Sequence, residues 1–187
     1  SQSPYAATKI AGDQLALSYY KSYNLPVTII RPFNTFGPRQ SARAIIPTII
    51  SQALKRDTIK LGFLKAKRNF NYVDSTIDGY MAAIKSRKAI GEIINIGSEL
   101  EISIENLVKI ISKNLKKKLV IQIDKKRIRP EKSEIFRLIA DGKKAKRLLN
   151  WKTKMNKKYF EDSIKKTIDW YITSKNQNQI NDKIYNI

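Results

Sequence analysis

Short β-branched runs alternate with longer helical stretches along the chain, and this alternation is the strongest constraint on what it can fold into. Strands are expected at Val27–Ile30, Thr58–Leu61, Asn69–Val73, Ile93–Ile96 and Leu119–Ile123. Helices are expected at Pro4–Tyr23, Ala44–Lys55, Ser75–Lys88, Ser103–Leu115, Lys143–Leu149 and Lys158–Ser174. Strands that are apolar throughout need cover on both faces, and interleaved helices provide it. The order therefore favours an α/β fold over a helical bundle or an all-β fold.

Local chemistry fixes several of these boundaries. Ser3 can cap the first helix with Pro4 as its first helical residue. That helix should stop before Asn24-Leu25-Pro26, because the residue preceding a proline resists helical dihedrals. Pro47 is tolerated in the first turn of the second helix, and Ser75 reads as the cap of the third. The segment Pro32–Gln40 reads as a loop at the carboxyl end of the first strand, the end at which open α/β sheets bind ligands.

Composition narrows the chemistry further. The 187 residues can make one domain or parts of two, and 42% hydrophobic content is enough for a core. Cysteine and histidine are both absent, which removes disulfides, zinc-thiolate centres and Ser-His-Asp hydrolysis. Neither a membrane span nor a secretory signal is recognisable, so a cytoplasmic location is expected.

The net charge of +21 raises a basic nucleic-acid-binding module as a second reading. The excess is spread, however, with 8 Lys/Arg against 2 Asp/Glu over residues 1–60, 11 against 6 over 61–120 and 18 against 8 over 121–187. Lysine beside isoleucine and asparagine fits a coding bias better than a phosphate-binding stripe, and nucleic acid is not the expected partner.

Tyr5 and Lys9 stand four residues apart, one turn along a helix face. A free tyrosine keeps its proton to a pKa of about 10, so work as a base near pH 7 needs about 4 kcal/mol of help. A nearby ammonium can provide part of it. On spacing alone, Lys9 reads first as an ordinary solvated surface charge.

Several segments, taken in order, carry a resemblance: S-P-Y-A-A-T-K at 3–9, R-P-F-N-T-F-G-P-R-Q at 31–40, A-I-I-P at 44–47, K-R-N-F-N-Y-V-D at 67–74, I-N-I-G-S at 94–98, R-P-E-K-S-E at 129–134 and A-K-R-L-L-N-W-K at 145–152. Together they resemble the extended short-chain dehydrogenase/reductase superfamily, in its NAD-dependent nucleotide-sugar 4,6-dehydratase and epimerase branch. Within that branch the pattern is most similar to dehydratases of nucleotide-linked N-acetylglucosamine, of the legionaminic-acid type. The resemblance implies a doubly wound, Rossmann-like parallel sheet with a smaller substrate lobe.

It also implies roles. Tyr5 would be the acid/base and Lys9 its partner on the nicotinamide ribose of NAD, with Pro32, Phe33 and Thr35 near the nicotinamide. Asn34, Arg68, Asn95 and Arg129 would hold the nucleotide-sugar substrate. Residues 1–42 and 69–98 would complete the cofactor sheet, 43–68 and 99–175 would form the lobe, and 176–187 would be a frayed polar tail.

Two departures stand out. The family's glycine-rich phosphate loop is absent from this sequence, as are its catalytic Ser/Thr and the acidic residues of dehydratases. The chain is thus expected to be the carboxyl-terminal half of such an enzyme, inactive alone, lacking its partner half and homodimeric when complete. Asn69-Phe70 stands where Asp-Phe or Asp-Tyr is usual, which removes a charge next to Arg68. An unpaired sheet edge would also make the isolated chain prone to aggregate.

Overall fold

A computed structural model describes residues 3–128 and 135–173. The elements run α1 (Pro4–Tyr23), β1 (Ile29–Pro32), β2 (Asn34–Phe36), α2 (Ile45–Lys55), β3 (Thr58–Leu61), β4 (Lys67–Tyr72), α3 (Val73–Lys85), β5 (Ile93–Ile96), β6 (Glu101–Ser103), α4 (Ile104–Leu115), β7 (Val120–Ile123), β8 (Arg137–Leu138), α5 (Lys143–Leu149) and α6 (Lys157–Ile172). The mixed α/β class is as expected. β1 pairs in parallel with β5 and β3 with β7, while β4 is flanked by parallel β2, antiparallel β6 and parallel β8.

Capping explains the helix ends. Ser3 Oγ accepts the Ala6 N–H at 3.2 Å, and Asn24 closes α1 in the left-handed region at φ 55°. Ser103 and Asn156 cap α4 and α6 in the same manner, accepting from Asn106 and Tyr159.

The structure corrects four expectations. The first strand begins at Ile29 because its partner β5 starts at Ile93, in the register Ile29 with Ile93. Val27 and Thr28 instead accept from Gly91 N–H and donate to the Ala89 carbonyl. Pro32–Gln40 is not a simple loop, since Asn34–Phe36 forms β2 against Phe70–Tyr72. Ser75 does not cap α3: β4 runs straight into that helix at Val73, and Ser75 is buried with Oγ 3.3 Å from Thr153 Oγ1. Finally, α3 ends at Lys85 and a separate helical turn occupies Arg87–Ala89.

Two hydrophobic clusters hold these elements. The larger joins β2, β4, α2, α4 and α6 through Phe36, Ile49, Phe70, Leu107, Phe160 and Ile164. Phe36 meets Phe70 and Phe160 edge-on at 6.4 and 5.4 Å, the geometry that aromatic quadrupoles prefer. Each fully buried apolar side chain there contributes about 1.5–3 kcal/mol. The smaller cluster joins β5, α3 and α5 through Ile94, Ile96, Ala83, Ala145, Leu149 and Trp151. Helix α1 belongs to neither and has no buried residue.

Candidate active site

Two contacts orient α1. Near its carboxyl end, Tyr20 lies over Gly91, where a Cβ would meet the ring at 2.4 Å. Gly91 also sits at φ +79°, where L side chains are strained. In the middle of the helix, Asp13 accepts from Arg31 at 2.5 Å. Because Gly91 bonds Val27 before β1 and Arg31 lies near its end, α1 runs antiparallel to β1. Tyr5, eight residues before Asp13, therefore projects about 12 Å farther along the axis, past the carboxyl ends of β1 and β5. Tyr5 is 71% exposed, and the Lys9 ammonium stands 5.4 Å from its ring centroid.

The turn from β1 into β2 lies at the same end. Phe33 N–H donates to the Ile96 carbonyl at 2.9 Å, fixing Pro32 and Phe33 beside the end of β5. Thr35 Oγ1 donates to the Phe33 carbonyl at 3.1 Å and lies 3.0 Å from Thr76 Oγ1. Asn34 Nδ2 donates to the Asn69 carbonyl at 3.2 Å. Asn95 sits opposite Arg31 in the β1–β5 register.

Next to this turn, β2 and β4 form one wall of a cleft of about 350 Å³. Its polar lining is Asn34, Thr35, Gln40, Arg43, Arg68 and Arg127, and its apolar floor includes Phe36 and Phe70. Arg68 Nη1 donates to the carbonyls of Lys67 and Ile135 at 3.1 and 2.5 Å. Arg127 Nε donates to Asp124 Oδ2 at 3.1 Å, and its side chain is 12% exposed. Tyr171 of α6 donates to the Gln40 carbonyl at 2.7 Å, and burial pushes its hydroxyl pKa up to about 12.

Three guanidinium groups around one cleft suit an anion with several oxygens, because each offers a planar fork of donors. The structure thus gathers Asn34, Thr35 and Arg68 in the cleft and leaves Tyr5, Lys9, Pro32, Phe33 and Asn95 outside its lining. Arg129 lies outside the described residues. Arg43 and Arg127 were missed in the sequence. Arg43 directly precedes A-I-I-P, a signal that could have found it, whereas Arg127 is masked within Lys125-Lys126-Arg127. Among the described residues, no acidic cluster could hold a metal ion and no helix is long and apolar enough to cross a membrane.

Comparison with known proteins shows the family and the fold. The family model described as GDP-mannose 4,6 dehydratase matches residues 1–167. The dTDP-D-glucose 4,6-dehydratase of Homo sapiens is 32% identical over 175 residues, covering 90% of this chain and 48% of the relative. The crystal structure of UDP-glucuronic acid 4-epimerase from Bacillus cereus, in complex with UDP-glucuronic acid and NAD, superposes with TM-score 0.81 at 29% identity, covering 90% of this chain and 52% of that one. DesIV, a dTDP-glucose 4,6-dehydratase from Streptomyces venezuelae with NAD and TYD bound, gives TM-score 0.80 at 28% identity, with 94% and 53% covered. The chain spans about half the length of the relatives it matches. It belongs to the GDP-mannose 4,6-dehydratase family, among the NAD-dependent epimerases and dehydratases of the extended short-chain dehydrogenase/reductase superfamily.

Proposed function

We propose that the chain is the substrate-binding half of an NAD-dependent nucleotide-sugar 4,6-dehydratase. The observation that carries this reading is the cleft with Arg43, Arg68 and Arg127, built beside the strand ends toward which α1 directs Tyr5 and Lys9. The guanidinium groups hold the diphosphate and Asn34 contacts the phosphate or sugar oxygens, with Arg129 and Asn95 as further contacts implied by the resemblance. Tyr5 takes the proton from the sugar 4-hydroxyl.

The exposed phenol and neighbouring ammonium fit the nicotinamide ribose of NAD, flanked by Pro32, Phe33 and Thr35. When bound, that cofactor accepts and returns a hydride. Its pyrophosphate cradle must come from the complementing half, because no glycine-rich phosphate motif occurs in this sequence. Among the described residues β1 pairs only with β5, so its other edge suits a strand of that half. Residues 1–42 and 69–98 then belong to the cofactor domain, and the large cluster to the substrate lobe. The exposed Leu15, Tyr19 and Tyr23 of α1 suit packing on the complement and on a second copy in a homodimer. The favoured sugar is N-acetylglucosamine, on the resemblance alone.

A second reading, 4-epimerisation, is supported by the 31% identity to the UDP-glucuronate 4-epimerase of Thermodesulfobacterium geofontis. The product of the complete enzyme separates the two: a 4-keto-6-deoxy sugar or a C4 epimer. Calorimetric titration of this chain with UDP-glucose and with dTDP-glucose tests the shared site. At least one should bind, and Arg68→Ala should weaken it roughly 10–100-fold, the loss of one charge-assisted contact.

A further inference from the structure

Strand β4 turns Arg68 and Phe70 toward the cleft, and the alternation of a strand turns Asn69 and Asn71 to its other face. Asn69 is fully buried. Its Nδ2 donates to the Ser98 carbonyl, to Ser98 Oγ at 2.9 Å and to the Leu100 carbonyl at 3.3 Å. Its Oδ1 accepts the Ser98 N–H at 2.9 Å. Gly97 leaves room for this contact, since a Cβ there would stand 2.7 Å from Asn69 Oδ1. The main chain of the same residue accepts from Asn34 Nδ2 at 3.2 Å. One Asn34 N–H is thereby fixed, and its second N–H and Oδ1 remain for a ligand in the cleft it lines.

We propose that Asn69 is a positioning residue: its neutral amide clasps the Gly97–Leu100 turn to β4 and so sets the orientation of Asn34 in the cleft. Only the consequence for substrate binding rests on the function proposed above. In this chain the amide donates to two carbonyls while accepting one N–H, a set that the aspartate usual in the resemblance would meet only in part. A carboxylate has no donor and would face both carbonyls as an unpaired buried charge. A protonated carboxyl regains one donor. The charged groups on the surrounding elements are Lys67 and Arg68 on β4, Glu101 on β6, Arg137 on β8, Arg31 on β1, Glu99 after β5 and Asp74 on α3. None is a hydrogen-bond partner of the Asn69 side chain, and Glu101 is held by Arg137 and Lys67.

Asn69→Asp in the full chain tests the clasp. The introduced carboxyl should have a raised pKa in the folded state, so its stabilising, protonated form is lost as pH rises. Relative to the parent chain, the variant should melt roughly 5–10 °C lower at pH 8, with most of that difference gone at pH 4.5. The Asn34 side-chain amide pair in a 1H–15N spectrum should shift at pH 8 and return toward the parent position at pH 4.5. An equal melting deficit at both pH values, or an Asn34 pair unmoved at pH 8, would overturn the proposal. If the variant fails to fold, the parent chain decides: the Asn69 side-chain protons should exchange with D2O at least about 100-fold more slowly than those of exposed Asn150. Equally fast exchange would contradict the clasp. Failure to bind UDP-glucose or dTDP-glucose would remove the proposed function, while these readouts would still decide the role of Asn69.

Discussion

Helices α4 and α6 bury a continuous face in the large cluster, whereas α1, at 20 residues the longest helix among the described residues, buries none. The two regions are stabilised by different means. Around Phe36, Phe70 and Phe160 the chain closes its own core, so the cleft above it has a rigid floor. The α1 corner depends on the Arg31–Asp13 pair and the seat of Tyr20 on Gly91. The side with the cleft is therefore largely self-contained, whereas the helix carrying Tyr5 and Lys9 is left exposed in this chain.

Substitutions can sharpen or break this contrast. The largest effect should come from Tyr5→Phe in the complete enzyme, where turnover should fall by about 10²–10⁴-fold. In this chain the thermal transition should barely change, since Tyr5 is largely exposed there. Phe160→Ala should do the reverse. Removing a fully buried ring that meets both Phe36 and Phe70 should cost about 3–5 kcal/mol in denaturant unfolding.

Smaller effects belong to the α1 corner. Arg31→Ala should change stability by less than about 1 kcal/mol, as exposed ion pairs do, yet should speed proteolytic cleavage within α1. Leu15→Ala, at a side chain 61% exposed, should shift stability of this chain by less than about 0.5 kcal/mol. A large loss from Leu15→Ala would show that α1 is packed after all. The smallest effect concerns Glu101, whose carboxyl is held below its ordinary value mainly by the hydrogen bond from Arg137, with Lys67 adding to it. Its contribution is present above the unfolded carboxyl pKa of about 4.3 and is lost as pH falls through the lower folded value. Glu101→Gln should remove that part of the acid dependence, measured as unfolding midpoints between pH 7 and pH 3.

Much of the fold was legible because it is locally encoded. The ends of Pro4–Tyr23, Thr58–Leu61, Ile93–Ile96 and Lys143–Leu149 coincide with the expected ones, marked by caps, turn residues and apolar runs. β2, β6 and β8 were not legible: each has two or three residues and exists only because β4 offers a partner. The site divides similarly. Asn34, Thr35 and Arg68 stand in recognisable motifs and Arg43 borders one, while Arg127 joins the cleft only in three dimensions, against a lysine-rich background. Asn69 shows the limit most clearly. In sequence its missing charge bears on neighbouring Arg68, but alternation along β4 turns the two side chains to opposite faces, and Asn69 answers to Ser98 and Leu100 instead.

The most direct test of the central claim, that this chain alone carries the nucleotide-sugar cleft, is a 1H–15N titration with UDP-glucose and with dTDP-glucose. Shifts should concentrate at Asn34, Gly62, Phe63, Arg68 and Arg127, the residues around the cleft. No response to either compound, or duplex DNA displacing them with shifts centred on Lys116-Lys117-Lys118, would contradict the account.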